Sequence, residues 1–599
     1  MNQEIKTCQN CKQNFTIESE DFAFYDKIKV PPPTWCSECR MIRRMNWRNE
    51  RTLYKRKCDA PGHNEEIISI YHKDSPFKVY DYKYWWSDEW DSLIYGKDYD
   101  FSQPFFEQFK ELLREVPHNN LVSGNNVNSE YVNFQANSKD CYLATGGQFN
   151  EQVIYSNHVV NSKDSTDLYF VFKIELGYDD VICQNSYRLF YSQNCDNCID
   201  SYFLYDCRNC QNCFSCVGLR NKQYYIFNKP YSKEEYEKKL REFNLGNFNQ
   251  IKKQKELFNE FKLRYPYKFI NSVRGENISG DNISDAKNCK YAFDILPGGS
   301  ENCKFLWWSG NVIKDVYDGN VGMNVESSYE NISVINNVSR VLFSVSIWTG
   351  YDIQYSENCH NSSNLFACVG LRNKQYCILN KQYTKEEYEK LVPQIIEYMN
   401  NMPYTDKQGR IYKYGEFFPP ELSPFSYNET IAQEYFPLTK QQAIEQGYSW
   451  KDPEQRNINI TLKSEDLPDN IKDVKDDIIN QIIECQHQNN PPAGGCNEQC
   501  TEAFKIIQPE LDFYKKMNLP LPRLCPNCRH YQRLKQRNPL KLWKRQCQCA
   551  GNKSENEVYQ NTIAHTHGEK HCENTFETTY APERPEIVYC EKCYQQEVM

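Results

Sequence analysis

The chain has 599 residues, 25% of them charged, and a formal net charge of −9. This allows several domains and excludes a polycation that binds nucleic acid over its whole surface. Abundant Tyr and Phe indicate a folded, strand-rich protein. The 28 cysteines, with no apolar leader and no run of 18 apolar residues, predict a cytoplasmic protein without a membrane segment. Its thiols would be metal-bound or buried, the alternative being disulfides in an exported protein.

Residues 1–100 are predicted to form a zinc-ribbon module. Two cysteine pairs stand 24 residues apart, with a short β-rich segment between them. Each pair offers two sulfurs to a shared point, as a tetrahedral thiolate site requires. The predicted zinc ligands are Cys8, Cys11, Cys36 and Cys39.

A basic segment follows this module's second cysteine pair, and another follows the matching pair near the C-terminus. Residues 40–57 hold eight Lys or Arg against one Glu, and residues 523–545 hold eight and no acid. A helix that begins at a cysteine pair and carries an arginine stripe is suited to phosphate binding. The alternative is pairing with an acidic protein surface or with the chain's own acids. The candidate nucleic-acid contacts are Arg40, Arg44, Arg48, Arg529, Arg533 and Arg537.

Residues 101–124 are predicted to be a linking helix. The pattern indicates a helix over residues 102–116 that Ser102 caps. One apolar face is formed by Phe105, Phe106, Phe109, Leu112, Leu113 and Val116.

Residues 125–265 and 266–400 are predicted to be two related β-solenoid segments, each ending in a helix. FSCVGLRNKQYYIFNK at residue 214 returns as FACVGLRNKQYCILNK at residue 366, 152 residues later. Capping boxes follow at Ser232–Glu235 and Thr384–Glu387. Short strand-like pieces favour parallel coils over a β-sandwich, because Asn, Ser, Cys and Asp turns separate them at irregular spacings of roughly twelve to twenty positions. Leu365 is then expected to point inward where Cys213 does.

Two chemical patterns lie inside the first solenoid segment. Cys207, Cys210, Cys213 and Cys216 resemble an iron–sulfur run. The second copy has Ser and Leu at two of these places, which favours structural cysteines. Acids recur at turns and raise the alternative of a carbohydrate-active lyase or hydrolase, although Asp in turns is usual. These acids are Asp140, Asp164, Asp180 and Asp206.

Residues 401–493 are predicted to be a connector, and residues 494–599 a double zinc-ribbon module. Its first site repeats the N-terminal one, with Cys496, Cys500, Cys525 and Cys528 as ligands. A second site would use Cys549, Cys572, Cys590 and Cys593. Cys547 and the histidines 565, 567 and 571 are alternatives to Cys549. Cys549 is favoured because Cys58, the counterpart of Cys547, persists in the N-terminal copy, where Asp81 and Tyr84 replace the final cysteine pair.

The two modules share further sequence motifs, including Phe-Tyr at residues 24 and 513 and Pro-x-Pro before the second cysteine pair. These motifs resemble zinc-ribbon modules in uncharacterised proteins from candidate-phyla bacterial genomes. The resemblance covers only the modules and implies metal binding without an established activity.

The predicted fold is therefore multidomain and mainly β. Duplicated zinc-ribbon modules at both termini flank two parallel β-solenoid segments with short capping helices. We expect about three structural zinc ions and no catalytic residue. The predicted function is a non-enzymatic scaffold or adaptor, with RNA or DNA as the leading candidate partner. The alternative is an enzyme acting on carbohydrate at the solenoid face.

Overall fold

The computed structural model describes residues 3–454, 457–489 and 498–598. Its N-terminal part consists of short hairpins and helices. β1 pairs antiparallel with β2, β3 pairs antiparallel with β4, and β5 pairs in parallel with β6. These elements are β1 (Glu4–Thr7), β2 (Asn14–Ile17), α1 (Ser19–Ile28), α2 (Ser37–Met45), β3 (Tyr54–Lys57), β4 (Glu66–Ser69), β5 (Val79–Tyr80), α3 (Tyr82–Trp86), a 3-10 turn (Ser92–Tyr95), α4 (Phe105–Glu115) and β6 (His118–Asn119).

The linking helix α4 follows its predicted apolar pattern. The six side chains of the predicted face are buried. Ser102, however, does not cap the helix: its N–H and hydroxyl both donate to Asp100, and Pro104 stands at the N-cap. With Pro104 at the N-cap, the helix begins at Phe105, three residues later than the sequence indicated.

The next segment is a parallel β-solenoid, as predicted. All its strands but the last pair in parallel at a step of twelve positions, so that Asn133 lies beside Thr145 and Gln211 beside Gln223. The last strand, β18, pairs antiparallel with the strand before it. Its strands are β7 (Ser123–Gly124), β8 (Asn133–Ala136), β9 (Thr145–Gln148), β10 (Glu151–Ile154), β11 (Asn157–Val160), β12 (Lys163–Thr166), β13 (Tyr169–Glu175), β14 (Gln184–Phe190), β15 (Ile199–Tyr205), β16 (Gln211–Val217), β17 (Gln223–Ile226) and β18 (Lys229–Pro230).

The backbone of this solenoid has a periodicity of three residues. From Asn125 to Phe227 every third residue has φ between 46° and 67°, the left-handed region. Four such corners make one turn of the solenoid, so the prediction of an irregular spacing is wrong for this segment. Asn and Asp tolerate this conformation best among residues with a side chain, which explains their abundance. The residue after each corner points inward, and these inward side chains form a core of small and aliphatic groups.

Side-chain hydrogen bonds connect successive turns. An inward serine such as Ser162 donates to the carbonyl two residues before it and accepts an N–H from the residue 12 positions later, Ile174. Asparagines at the corners form ladders, as Asn197 donates to Asn209 and Asn209 to Asn221. These bonds satisfy polar groups that the corners would otherwise leave without a partner.

The second solenoid has the same three-residue periodicity, interrupted by insertions. The step between paired positions is again twelve where Trp348 lies beside His360, but it is fourteen where Ala286 lies beside Ser300. Its elements, with the two helices that precede it, are α5 (Lys233–Glu242), α6 (Phe248–Lys262), β19 (Pro266–Lys268), β20 (Ser272–Glu276), β21 (Gly280–Ile295), β22 (Ser300–Leu342), β23 (Trp348–Gln354), β24 (His360–Phe366), β25 (Gln375–Ile378), β26 (Lys381–Gln382) and α7 (Lys385–Asn401).

The duplication holds in detail. Leu365 lies in the core of the second solenoid and Cys213 in the core of the first, as predicted. Both capping boxes are formed, with Ser232 at the start of α5 and Thr384 at the start of α7.

The remaining chain begins with short elements and ends in the C-terminal module. The strand β33 of this module pairs in parallel with β19, in a two-stranded sheet separate from both solenoid sheets. The elements are β27 (Tyr404–Thr405), β28 (Ile411–Tyr412), α8 (Ile431–Tyr435), α9 (Lys440–Glu445), β29 (Ile483–Glu484), α10 (Gln486–Asn489), β30 (Ala503–Phe504), α11 (Gln508–Met517), α12 (Pro526–Leu534), β31 (Trp543–Gln546), β32 (Thr575–Thr578), β33 (Ile587–Tyr589) and α13 (Glu591–Val598), with 3-10 turns at Pro420–Leu422, Tyr427–Glu429, Ser464–Asp466, Ile471–Asp473 and Asp476–Asn480.

In the described part of the chain, no helix is both long and apolar enough to cross a membrane. Within the same residues no disulfide is formed.

Candidate metal centres

Three groups of four cysteines are positioned to hold a metal ion. In each group the four sulfurs lie within 4.8 Å of one another. The groups are Cys8, Cys11, Cys36 and Cys39; Cys485, Cys500, Cys525 and Cys528; and Cys547, Cys572, Cys590 and Cys593.

The N-terminal tetrad is the predicted one. Cys8 and Cys11 come from the turn between β1 and β2, while Cys36 is the N-cap of α2 and Cys39 lies in its first turn. The backbone N–H of Cys36 donates to Cys8 Sγ over 3.2 Å. Asn10 Nδ2 donates to Cys39 Sγ over 3.3 Å, so amide donors face the sulfurs.

The second tetrad differs from its prediction in one ligand. Cys485 supplies the fourth sulfur, and it accepts the N–H of Cys525 over 3.2 Å, as Cys8 accepts that of Cys36. Cys496, the predicted ligand, lies outside the described residues. Sequence reasoning missed Cys485 because it stands 15 positions before Cys500, and the pairing of β29 with β30 brings it to the site.

The third tetrad contains Cys547, which corrects the preference for Cys549. Cys547 Sγ accepts the N–H of Cys590 over 3.2 Å, the same bond as in the other tetrads. Cys58, its N-terminal counterpart, accepts the N–H of Asp81 over 3.2 Å. The persistence of Cys58 is thus explained by a hydrogen bond that needs no metal, and it was no argument against Cys547. Cys549 lies in an adjoining group with two histidines.

Some sulfur pairs have the separation expected in tetrahedral coordination. Four sulfurs about 2.3 Å from one ion lie about 3.8 Å apart in a tetrahedron. The Sγ atoms of Cys11 and Cys36 are 3.8 Å apart, and those of Cys572 and Cys590 are 3.9 Å apart. Cys525 Sγ lies 3.9 Å from Cys500 Sγ.

In the first and third tetrads, one thiol has a lowered pKa. Hydrogen bonds from Cys36 and Cys39 lower the pKa of the Cys8 thiol well below its usual range. In the third tetrad, hydrogen bonds from Cys547 and Cys593 do the same to the pKa of Cys590. Because metals bind the thiolate, a lowered thiol pKa favours ion binding at neutral pH.

The predicted phosphate-binding arginines of the N-terminal module are internal. Arg40, Arg44 and Arg48 are each 2% exposed or less. Arg40 contacts Asp318 at 2.8 Å, and Arg44 contacts Glu330 at 2.9 Å, both in the second solenoid. The helix α2 thereby docks the N-terminal module onto that solenoid.

The C-terminal module docks onto the first solenoid in the same way. Arg529 contacts Asp167 at 2.9 Å, and Arg533 contacts the same carboxylate at 2.8 Å. Arg537 is half-buried, and its guanidinium lies 4.0 Å from the ring centre of Tyr435. The prediction of two exposed arginine stripes is therefore wrong. The chain's own acids, the alternative weighed from the sequence, are the partners of all these arginines except Arg537.

The two docking sites are equivalent. Arg40 and Arg529 are 489 positions apart, and their partners Asp318 and Asp167 are 151 apart. Asp318 and Asp167 both occupy left-handed corners of their solenoids. The ring stacked on each arginine also corresponds, with Phe305 at 5.2 Å from Arg40 and Tyr155 at 4.8 Å from Arg529.

The four cysteines 207 to 216 point into the solenoid core, all of them 1% exposed or less. Each thiol donates to a backbone carbonyl, as Cys216 does to Phe214 O over 3.3 Å and Cys213 to Gln211 O over 3.4 Å. These contacts agree with the structural role favoured by the sequence.

Three of the four recurrent acids, Asp140, Asp180 and Asp206, have different surroundings. Asp140 accepts from Asn128 in a corner ladder, and Asp180 points into the core, where burial raises the pKa of its carboxyl well above its usual range. Asp206 is paired with Arg208 and Arg220.

The fold and the sites define a mainly β protein whose two β-solenoids lie between terminal modules with cysteine tetrads. No protein-family model matches the chain, and no curated protein matches it. Among solved structures 12 chains match. One, provisionally described as an acetyltransferase from Desulfovibrio desulfuricans G20, is 10% identical over 49% of this chain and 86% of that chain, with a TM-score of 0.10. At that TM-score the similarity carries no argument about fold or function. The resemblance of the modules to zinc-ribbon proteins stays a prediction.

Proposed function

We propose that the protein is a zinc-stabilised, non-enzymatic scaffold. Closed metal sites stabilise its terminal modules, and the arginine helices of these modules hold them on the solenoids. The observation that carries the proposal is the sulfur geometry: each tetrad consists only of cysteine, its four sulfurs lie within 4.8 Å of one another, and four of the sulfur pairs are 3.8 to 3.9 Å apart. A tetrahedral site filled by four thiolates has no open position for water or substrate, so it stabilises a fold and does not catalyse.

Zinc is proposed because tetrahedral four-sulfur sites bind zinc or iron, and repeated closed sites in short hairpin modules are typical of structural zinc. The N–H groups that donate to Cys8, Cys485 and Cys547 offset part of the negative charge of each site.

Metal binding and module docking are coupled through two helices. Cys36 is the N-cap of α2 and Cys525 is the N-cap of α12. The same helices carry the arginines that contact the solenoid carboxylates. An ion that fixes the helix N-terminus therefore also fixes the docking side chains.

The scaffold role follows from what the modules leave exposed. Their arginine helices are used inside the molecule, whereas corner asparagines such as Asn197 and Asn209 form an outward ladder on the first solenoid. We propose that the solenoid faces contact the partner. The carbohydrate-active alternative lacks support, since the acids named for it do not converge.

Metal analysis tests the zinc proposal. Purified protein is expected to carry at least three zinc ions per chain and no iron. Replacing Cys525 and Cys528 with Ser should remove one tetrad's ion, whereas the core variant Cys213→Ser should leave the zinc content unchanged. A zinc content below one per chain, or iron with visible absorbance, would overturn the proposal.

Capture of partners from native lysate tests the scaffold role. The set of captured proteins should be the same with and without nuclease, because the predicted phosphate contacts are buried. Loss of capture after nuclease treatment would restore the nucleic-acid hypothesis.

A further inference from the structure

A second set of metal donors adjoins the third tetrad. Cys549, His565, His567 and Cys593 place one donor atom each within 4.8 Å of all the others. Cys593 also belongs to the tetrad with Cys547, Cys572 and Cys590. One sulfur therefore faces two groups of donors.

Both histidines turn one ring nitrogen toward the sulfurs and the other toward an oxygen acceptor. His565 Nε2 lies 2.7 Å from the carboxylate of Glu597, and His567 Nδ1 lies 2.9 Å from the carbonyl of Lys570. These acceptors hold the proton on the outer nitrogen of each ring. The inner nitrogens then lie 3.1 Å from Cys549 Sγ and 3.4 Å from Cys593 Sγ. A carboxylate or carbonyl behind the ring is the usual support of a metal-binding histidine.

A second cation would bind donors from both groups. The sulfur of Cys593 and the inner nitrogen of His567 lie 3.4 Å apart, so that one ion can contact both. The second ion would also make the centre less negative: one +2 ion with four thiolates carries −2, whereas two +2 ions with the five thiolates 547, 549, 572, 590 and 593 carry −1.

We propose that the C-terminal module binds two zinc ions in one centre, bridged by the thiolate of Cys593. The second ion would be held by Cys549, His565, His567 and the shared sulfur, a mixed sulfur and nitrogen set that suits zinc. This inference rests on the proposed zinc binding at the third tetrad, and it adds one ion to the three tetrad ions.

Counting zinc by native mass spectrometry separates the two proposals. Wild-type protein is expected to carry four ions, and the variant with His565→Asn and His567→Asn three. His571→Asn is the matched control, because His571 is outside the donor set, and it should keep four. Three ions in the wild type would overturn the binuclear centre and leave the zinc proposal intact. A content below one would overturn both. Four ions in the double variant would place the fourth elsewhere and also overturn the inference.

Cadmium-113 substitution tests the bridge without a mutation. Two resonances of the C-terminal centre should show mutual coupling through the shared sulfur, and His567→Asn alone should abolish that coupling. Four bound cadmium ions with no coupled pair in the wild type would overturn the bridging role of Cys593.

Discussion

Glu357 is a buried acid that faces a buried histidine. Its Oε2 atom accepts no hydrogen bond and lies 3.7 Å from Nδ1 of His118. Burial raises the pKa of the Glu357 carboxyl to about 8 and lowers the pKa of His118 to about 4. His118 Nε2 donates to Leu113 O, so a neutral imidazole faces a neutral carboxyl at neutral pH.

Replacing Glu357 with Gln should remove a pH-dependent cost. Below about pH 4.5 the carboxyl is protonated in the folded and unfolded chain, so it costs nothing. Between that pH and about 8 only the unfolded chain loses the proton, and stability falls by up to about 1.4 kcal/mol per pH unit. Denaturant unfolding from pH 5 to 9 should show Glu357→Gln gaining stability over the wild type as pH rises, with the difference level above pH 8.

Parallel stability curves for the two proteins would mean that Glu357 is ionised in the folded state. His118 contributes the opposite slope at lower pH. Its folded pKa is lowered, so the unfolded chain takes up a proton first and stability falls as pH drops below about 6.5. This contribution is common to both proteins and cancels in the comparison.

At the scale of the element, the solenoid turn sets what its core accepts. Each turn sends four side chains inward, and Cys213 lies between Ser201 of the previous turn and Tyr225 of the next. Serine and cysteine fill such positions because each donates to the carbonyl two residues earlier, as Ser201 does to Ile199 O and Cys213 to Gln211 O.

The variant Cys213→Ser should therefore lose less than about 1 kcal/mol of unfolding free energy, since serine makes the same bond. Cys213→Glu should lose several kcal/mol, because it adds bulk and an uncompensated charge to a closed core. Chemical denaturation of both variants measures the difference.

Metal analysis of the same two proteins distinguishes the structural role from an iron–sulfur cluster. Loss of iron or of visible absorbance in Cys213→Ser would contradict the structural role. Equal stability of the Ser and Glu variants would show that the position is not enclosed.

At the scale of the whole molecule, the chain has two equivalent docking sites, and each terminal module docks on the solenoid that is farther from it in the sequence. The N-terminal module lies on the second solenoid and the C-terminal module on the first, with Arg40 to Asp318 matching Arg529 to Asp167. Ring packing follows the same rule, since Tyr25 contacts Tyr329 at 5.5 Å and Tyr514 contacts Tyr178 at 5.6 Å. Each terminus is thereby held by a distant part of the chain.

The variants Arg40→Gln and Arg529→Gln should each lower the free energy of unfolding by up to about 3–5 kcal/mol, because each removes one of the two arginines that neutralise a buried carboxylate. Arg44 still contacts Asp318, and Arg533 still contacts Asp167. The similar size of the two losses is expected from the equivalence of the two sites. Neither arginine is a ligand, so the zinc content should be unchanged. Thermal unfolding with parallel metal analysis measures both.

The control is Arg274→Gln, which removes an exposed pair with Asp285 on the second solenoid. Its effect should be much smaller, as for other surface pairs. Losses no larger than that of the control would show that the arginine helices are not anchors of the modules. A large loss for only one of the buried arginines would contradict the equivalence.

The sequence by itself determined what depends on neighbours along the chain. The structure contains three such local patterns. They are the cysteine pairs at Cys36 and Cys525, the capping boxes and the repeated sequence GLRNKQY. The parallel solenoid was also predicted, but with an irregular spacing and without its three-residue periodicity. Asn and Asp residues separated by multiples of three positions, often followed by small or aliphatic residues, were the signal that could have revealed it.

Only the tertiary structure decided which distant groups meet. Cys485 reaches its tetrad through a strand pairing, and Cys547 takes the place expected for Cys549 because its sulfur faces the N–H of Cys590. The arginine helices looked like exposed phosphate sites because their partners, such as Asp167 and Asp318, lie hundreds of residues away. Spacing along the chain fixes local geometry, but burial and charge pairing are set by the packing of the whole molecule, where a buried arginine must meet an acid.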